Sequence, residues 1–261
     1  MKDERPSLTA RAVALQRSRL DRPAGIHGNP EAEQRLYHSI RIRTPVHYRG
    51  RNFMAERTEF FDEETMGAIE RGIRQIVIIG AGYDGRALRF RDPQVRFFEL
   101  DHPNTQSDKR RRMHDLDITA HGLSFVELDL MTSDVNEALD KAGHDPRRDT
   151  LFIAEGLLGY LDQESIDSLF VGLRRRSTGA SRFATNFWVS PNAPTVFGKA
   201  RRLAIRSTLR VIGESFGTEF HPGDPERILE RTGWLPNRCV NAAMPFTGRS
   251  FEQLVALDPS G

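Results

Sequence analysis

The run over residues 76–86, IVIIGAGYDGR, constrains this chain more than any other. An apolar, β-branched stretch leads directly into a glycine-rich turn. A second apolar run, residues 95–103 (VRFFELDHP), ends in acidic residues. Strand, tight loop, crossover and a second strand tipped with carboxylates is how an α/β protein holds an adenosine-containing cofactor. Gly80-Ala81-Gly82-Tyr83-Asp84-Gly85 fits G-x-G-x-x-G. The first glycine permits the sharp turn off the strand, and the second lets the backbone approach a ligand without a Cβ in the way. Glu99 and Asp101 follow at the spacing of a ribose-binding carboxylate. Side chains alternate along a strand, so these two point the same way and Leu100 the other.

The loop alone does not distinguish a dinucleotide from a sulfonium nucleoside, and the rest of the chain bounds the choice. It has 261 residues, enough for a single α/β domain. The 38 basic residues are nearly offset by 36 acidic ones, so the slight basic excess does not point to nucleic acid. The arginine runs 110–112 and 174–176 read as solvated helix faces. One cysteine, Cys239, precludes a disulfide within the chain and a thiolate zinc cluster, and suits a reducing cytosol. The charged N-terminus lacks an apolar signal segment, and no apolar run approaches the roughly 20 residues of a membrane helix. These features predict a cytoplasmic protein with no metal site.

The pattern predicts helices over residues 7–20, 31–43 and 57–71, the first capped by Ser7. Strands then alternate with helices: strands over 75–79, 95–100, 123–130, 150–154 and 182–189, with helices over 104–121, 134–142 and 163–173, the last capped by Asp162. This alternation argues for a parallel sheet with helices on both faces. Residues 190–222 break the rhythm and read as a lid over the sheet's carboxyl edge. A short helix over 225–232 and an antiparallel strand pair over 238–244 and 250–257 close the chain. The expected organisation is a single domain over 1–261: a helical cap (1–71), a cofactor-binding core (72–189), the lid (190–222) and the closing elements (223–261).

Five blocks carry a further signal: Arg57-Thr58-Glu59-Phe60-Phe61-Asp62; residues 75–90, QIVIIGAGYDGRALRF; Phe98-Glu99-Leu100-Asp101-His102-Pro103; Glu127-Leu128-Asp129-Leu130; and residues 154–161, AEGLLGYL. In order and spacing, from about residue 40 to about residue 175, the chain resembles the leucine carboxyl methyltransferase family. That family includes bacterial S-adenosylmethionine-dependent O-methyltransferases, some acting in polyketide biosynthesis. The resemblance implies a Rossmann-like class I methyltransferase fold: a doubly wound, mostly parallel sheet of seven strands with an antiparallel closing strand. It also implies S-adenosyl-L-methionine as cofactor and a small-molecule acceptor. Arg57 matches the arginine that clamps the methionine carboxylate, and a planar guanidinium suits that task. Gly80, Ala81 and Gly82 would line the methionine and ribose portion. Asp101, with Glu99 as the alternative, would accept from the ribose hydroxyls. Asp129 and Leu130 match the adenine-recognising pair, and Glu155 would face the methionine amino group or the sulfonium side. One departure stands out: the family's usual Asp-Thr-Arg is Asp84-Gly85-Arg86 here.

Near the expected transfer centre, Tyr160, Phe187 and Trp188 are candidates to neighbour the acceptor, and packing roles are open for all three. His102 and His221 lie close enough to be weighed as bases, but neither belongs to a diagnostic pair, so no catalytic base is assigned. An ionised carboxylate acceptor needs none, whereas a phenol, with a pKa near 10, benefits from one. Two other readings fit the glycine spacing. A nicotinamide-dependent oxidoreductase would need a constellation such as Tyr and Lys at helical spacing, which Tyr160 lacks. A cofactor-binding relative without turnover is suggested only by Gly85.

Overall fold

A computed structural model describes residues 6–40, 51–190, 217–243 and 251–260. Three helices precede the sheet: α1 (Leu8–Arg17), α2 (Pro30–Ser39) and α3 (Arg51–Glu70). Ser7 caps α1 by accepting from Ala10 N, and Asn29 caps α2 by accepting from Ala32 N. The sheet follows the predicted rhythm: β1 (Gln75–Ile79), a one-turn α4 (Arg86–Arg89), β2 (Arg96–Asp101), α5 (Pro103–Asp115), β3 (Leu123–Glu127), α6 (Val135–Lys141), β4 (Thr150–Ala154), a short 3-10 turn (Leu158–Tyr160), α7 (Gln163–Arg175) and β5 (Arg182–Val189). After the segment 191–216, α8 (Asp224–Thr232), β6 (Trp234–Ala243) and β7 (Phe251–Pro259) complete it.

The seven strands lie in the order β3-β2-β1-β4-β5-β7-β6. The first five are mutually parallel, and β7 runs antiparallel between β5 and β6. The chain reverses its direction of travel between β1 and β4, which opens a crevice at their carboxyl ends. Both faces of the sheet are covered, as parallel strands require. Val77, Ile79, Phe98, Phe152 and Phe183 pack with α6, α7 and α8 on one face. Ile76, Ile78, Phe97, Leu151 and Ile153 pack with Phe60 and Phe61 of α3 on the other. This alternation follows from the two-residue period of the strands.

Several boundaries differ from expectation. The helix predicted over 104–121 ends at Asp115, because Asp117 takes a left-handed φ of 50° and Ile118 N bonds back to Met113 O. The strand predicted to run through Leu130 stops at Glu127. Asp129 O instead accepts from Thr132 N and Ser133 N in a turn. The arginine runs are not simply solvated faces. Arg112 donates to Ser39 O and pairs with Asp108 at 2.8 Å, while Arg176 is buried against His144 and Asp140. Charge runs hide such residues because only the fold shows which arginine faces inward.

Of the segment expected as a lid, residues 191–216 lie outside the described residues, as does part of the helix predicted to reach residue 43 and of the closing turn. The ends of the lid segment are fixed: Ser190 N donates to Phe220 O at 2.9 Å, and Gly217 N to Gly159 O at 2.8 Å. Both anchors sit at the carboxyl end of β5 and on the 3-10 turn.

Candidate cofactor and acceptor site

The carboxyl ends of β1, β2 and β4 gather most of the nominated residues. Gly80 and Gly82 both have positive φ, +66° and +53°, so the turn off β1 needs glycine at each. Ala81 is buried and its N–H donates to Leu100 O at 3.0 Å, tying the loop to β2. Gly82 N donates to Asp101 Oδ2 at 2.5 Å, and His102 N to Oδ1 at 2.7 Å. Each oxygen of Asp101 therefore keeps a second lone pair. Burial pushes its carboxyl above the usual range, against those two N–H groups.

Glu99 does not share that setting. It is fully buried beneath the loop, where Lys109 Nζ reaches its Oε2 at 2.5 Å and the Asp84 carbonyl as well. Burial, opposed by Lys109, lifts the Glu99 carboxyl to about 7. Of the two candidates for the ribose, only Asp101 is partly open to solvent. Leu128 N bonds to Asp101 O, which sets Asp129 and Leu130 just beyond the tip of β2. Asp129 Oδ1 holds Met131 N at 3.0 Å, and Leu130 packs against the core.

Arg57, on α3, is brought to Glu155 at the end of β4. Its Nε stands 3.1 Å from Glu155 Oε1 and its Nη1 3.3 Å from Glu252 Oε1 on β7. Glu155 also holds Arg17 Nη2 at 2.5 Å and Arg86 Nη1 at 2.8 Å. Burial alone would raise its carboxyl, but Arg17, Arg86 and Arg57 outweigh it and hold it at about 2. Asp84, between Arg17 and Arg86, is likewise held far below the carboxylate range against its burial. The network continues from Arg86 to Asp62 at 2.8 Å, from Asp62 to Arg22 at 2.7 Å, and through Glu33 to Arg89. The paired charges let a chain bury arginines and carboxylates together where any one alone would be prohibitive.

The acceptor-side candidates separate. Phe187 is fully buried among Phe170 and Phe220. Trp188 points the other way, donating to Glu252 Oε1 at 2.7 Å, and lines a narrow crevice with Gly156, Leu158, Gly159 and Asn186. Tyr160 lies in the 3-10 turn beside that crevice. His102 caps α5 by accepting from Asn104 N, and His221 sets its ring Nδ1 3.2 Å from Ser190 O. Among the described residues no cluster of His, Cys, Asp and Glu could hold a metal. The sequence reading missed Arg17, Lys109, Asn186 and Glu252. Glu252 had a signal, a lone acid inside the apolar run FEQLVAL.

An amino-acid nucleoside fits this donor set. A buried guanidinium stands against a turn in which Gly156 has a φ of +67°, with Arg57 Nη1 at contact distance, 3.6 Å, from where a Cβ would be. Asp101 has lone pairs to spare at the tip of β2, and a buried oxygen of Glu252 has no partner among the described residues. Over the loop lies α1, with Ala10 against Gly82 and Arg17 on Glu155.

The sheet order with an antiparallel penultimate strand is the class I methyltransferase fold. It is shared by the magnesium protoporphyrin IX methyltransferase of Synechocystis PCC 6803, solved with bound SAH, at a TM-score of 0.55 over 88% of this chain and 94% of that one, with 13% sequence identity. The leucine carboxyl methyltransferase family model matches residues 19–173, and the chain belongs to that family. The cofactor that goes with membership is S-adenosyl-L-methionine. Two relatives from Mycobacterium ulcerans (strain Agy99), each named "Putative S-adenosyl-L-methionine-dependent methyltransferase", are 36% and 37% identical over 69% and 63% of this chain. The matches span 61% and 50% of those relatives' own lengths.

Proposed function

We propose that this chain is an S-adenosylmethionine-dependent O-methyltransferase acting on a small-molecule carboxylate or phenolic hydroxyl in the cytoplasm, with natural-product and polyketide biosynthesis as its setting. The observation that carries the reading is the buried Arg57 at the carboxyl end of β4, delivered from α3 to the crevice where the glycine loop and Asp101 also converge. In this reading Arg57 holds the methionine carboxylate. Gly80, Ala81 and Gly82 line the methionine and ribose portion. Asp101 accepts from the ribose hydroxyls, Asp129 and Leu130 hold the adenine, and Glu155 faces the methionine amino group or the sulfonium side.

The bound cofactor supplies an electrophilic methyl group on a sulfonium. The chain's own residues align the acceptor oxygen with it and keep water away. Trp188 and Tyr160 border the crevice through which an acceptor would enter, and Ser190 and Gly217, the described flanks of the segment expected as a lid, are anchored beside it. From the expected helical cap, α1 and α3 reach this end of the sheet through Arg17 and Arg57 on Glu155.

Calorimetric titration tests the reading. Binding of S-adenosylhomocysteine with no response to NAD is expected, followed by transfer of labelled methyl to carboxylate or phenol acceptors. Binding of NAD without S-adenosylhomocysteine would remove it.

A further inference from the structure

Trp188 and Glu252 are direct cross-strand partners on β5 and β7, and Asn186 lies two residues before Trp188 on the same face. Three side chains from two elements meet at one atom of Glu252. Its Oε1 receives Asn186 Nδ2 at 2.5 Å, Trp188 Nε1 at 2.7 Å and, from α3, Arg57 Nη1 at 3.3 Å. Glu252 is fully buried and is not itself part of the crevice wall. The two β5 side chains it holds do form that wall, with Gly156, Leu158 and Gly159.

A carboxylate oxygen offers about two lone-pair directions, so three donors compete for this one. Arg57 is the most distant and holds the weakest share. It also has partners elsewhere, with Nε 3.1 Å from Glu155 Oε1 and Nη2 donating to Met54 Sδ at 3.2 Å. The indole N–H of Trp188 is committed to Glu252, which fixes how the ring stands in the wall. Asn186 passes the hold onward, its Oδ1 accepting from Gly156 N at 2.6 Å in the turn after β4. An anion that draws Arg57 toward itself leaves Oε1 to Trp188 and Asn186 alone, and both bonds then tighten.

We infer that Glu252 is a positioning residue that couples the cofactor side of the site to the acceptor side: Arg57 turning to the cofactor's carboxylate is felt, through Glu252 Oε1, by Trp188 and Asn186 in the crevice wall. The inference rests on the reading of Arg57 proposed above. Asn186, Trp188 and Glu252 all follow residue 173, where the family match ends, so the relay is a property of this chain's own closing strands.

Trp188 supplies the readout. The chain has two tryptophans, and the other, Trp234, is buried on the opposite face of the sheet with its N–H on Phe170 O at 3.0 Å. S-adenosylhomocysteine is titrated into wild type, Trp188→Phe and Glu252→Gln, with calorimetry reporting binding and tryptophan emission reporting the relay. Saturation should change the wild-type emission, and W188F should lose that change. E252Q should bind by calorimetry with the emission change lost, because without the carboxylate charge Arg57 no longer competes for Oε1. A silent wild type, a change that persists in W188F, or one of full size in E252Q would overturn the inference. Wild type that gives no calorimetric binding would overturn the cofactor reading itself, a separate result.

Should E252Q fail to fold or to bind, wild type alone decides. 5′-Methylthioadenosine keeps the adenosine and the thioether but lacks the amino-acid end that Arg57 would clamp. At saturation it should leave the Trp188 emission as it is without ligand. An emission change equal to that from S-adenosylhomocysteine would show that the signal bypasses Arg57 and Glu252, and the coupling would fall.

Discussion

Glu33 stands where a side chain at residue 85 would go: a Cβ on Gly85 would lie 2.5 Å from Glu33 Oε1 and closer still to its Cγ. Tyr37 links the two, accepting from Gly85 N at 3.1 Å and donating to Glu33 Oε1 at 3.0 Å. Arg22 and Arg89 pin the same carboxylate from either side. The family's usual threonine after the loop aspartate is absent here, and a glutamate from α2 fills the space. The loop is therefore braced from the helical cap rather than by its own hydroxyl.

Restoring the threonine should for that reason destabilise. Gly85 has a φ of −105°, which any residue adopts, so the effect is steric alone. Gly85→Thr is expected to cost about 1–3 kcal/mol, the range for overpacking a filled interior. Urea unfolding measures it, and a variant as stable as wild type would show that Glu33 yields without cost.

Arg86 is the most deeply placed member of the ionic network, fully buried and shared by Asp62, Asp84 and Glu155. Its removal takes one cationic partner from each of three buried carboxylates, leaving Asp62 with Arg22, Asp84 with Arg17, and Glu155 with Arg17 and Arg57. Arg86→Met keeps the volume but not the charge and should lower stability by about 3–5 kcal/mol. Denaturant midpoints should fall, with the largest loss near neutral pH, where Asp84 and Glu155, both held below the usual carboxylate range, are ionised. A shift below about 1 kcal/mol would mean that water reaches the network.

The sheet was legible because its strands are β-branched runs bounded by turns, and because β1 leads into glycines whose left-handed φ values only that residue adopts without strain. The clustering of Arg57 with Glu155 was legible only through the resemblance. The ionic network was not legible at all. Arg17, Glu33 and Asp62 come from three different helices and Arg22 from the loop between the first two, and nothing in local periodicity marks an arginine that will be buried. Glu252 is marked as a lone acid inside an apolar run, but its partners lie 195 and 66 residues away, so the run does not show what it meets.

His144 gives the fold a defined acid sensitivity. Its Nε2 lies 3.0 Å from Thr150 Oγ1, and its Nδ1 faces Arg176 Nε at 3.3 Å. An arginine can donate only to an unprotonated Nδ1, so the ring is neutral with the proton on Nε2. Burial first, and the Arg176 charge second, push its pKa down to about 4. A histidine with a folded pKa below its unfolded value of 6.5 adds stability that is present above 6.5 and lost as the pH falls toward 4. His144→Gln should remove that slope, so the stability gap between wild type and variant should narrow by about 2–3 kcal/mol from pH 7 to 4. Groups common to both proteins cancel in this difference. Parallel stability curves would show that the ring is already charged at neutral pH.

Asp101 joins fold and site through one carboxylate. Its oxygens hold Gly82 N and His102 N, so it fixes the glycine loop onto the tip of β2 while each oxygen keeps a second lone pair. Asp101→Asn sets an amide NH2 against one of those two donors, and no rotation of the side chain relieves both. The lost bond should cost about 1–3 kcal/mol in unfolding experiments. In the proposed reading the same change removes the charge and one acceptor from the ribose side, so S-adenosylhomocysteine should bind about 10- to 100-fold more weakly by calorimetry. Asp101→Glu separates the two effects. It keeps the charge but, being longer, cannot hold both backbone N–H groups from the same position, so it should lose stability in step with the asparagine variant and retain more of the affinity. A D101N protein that is destabilised but binds S-adenosylhomocysteine at full strength would leave Asp101 a brace for the loop and move the ribose contact elsewhere.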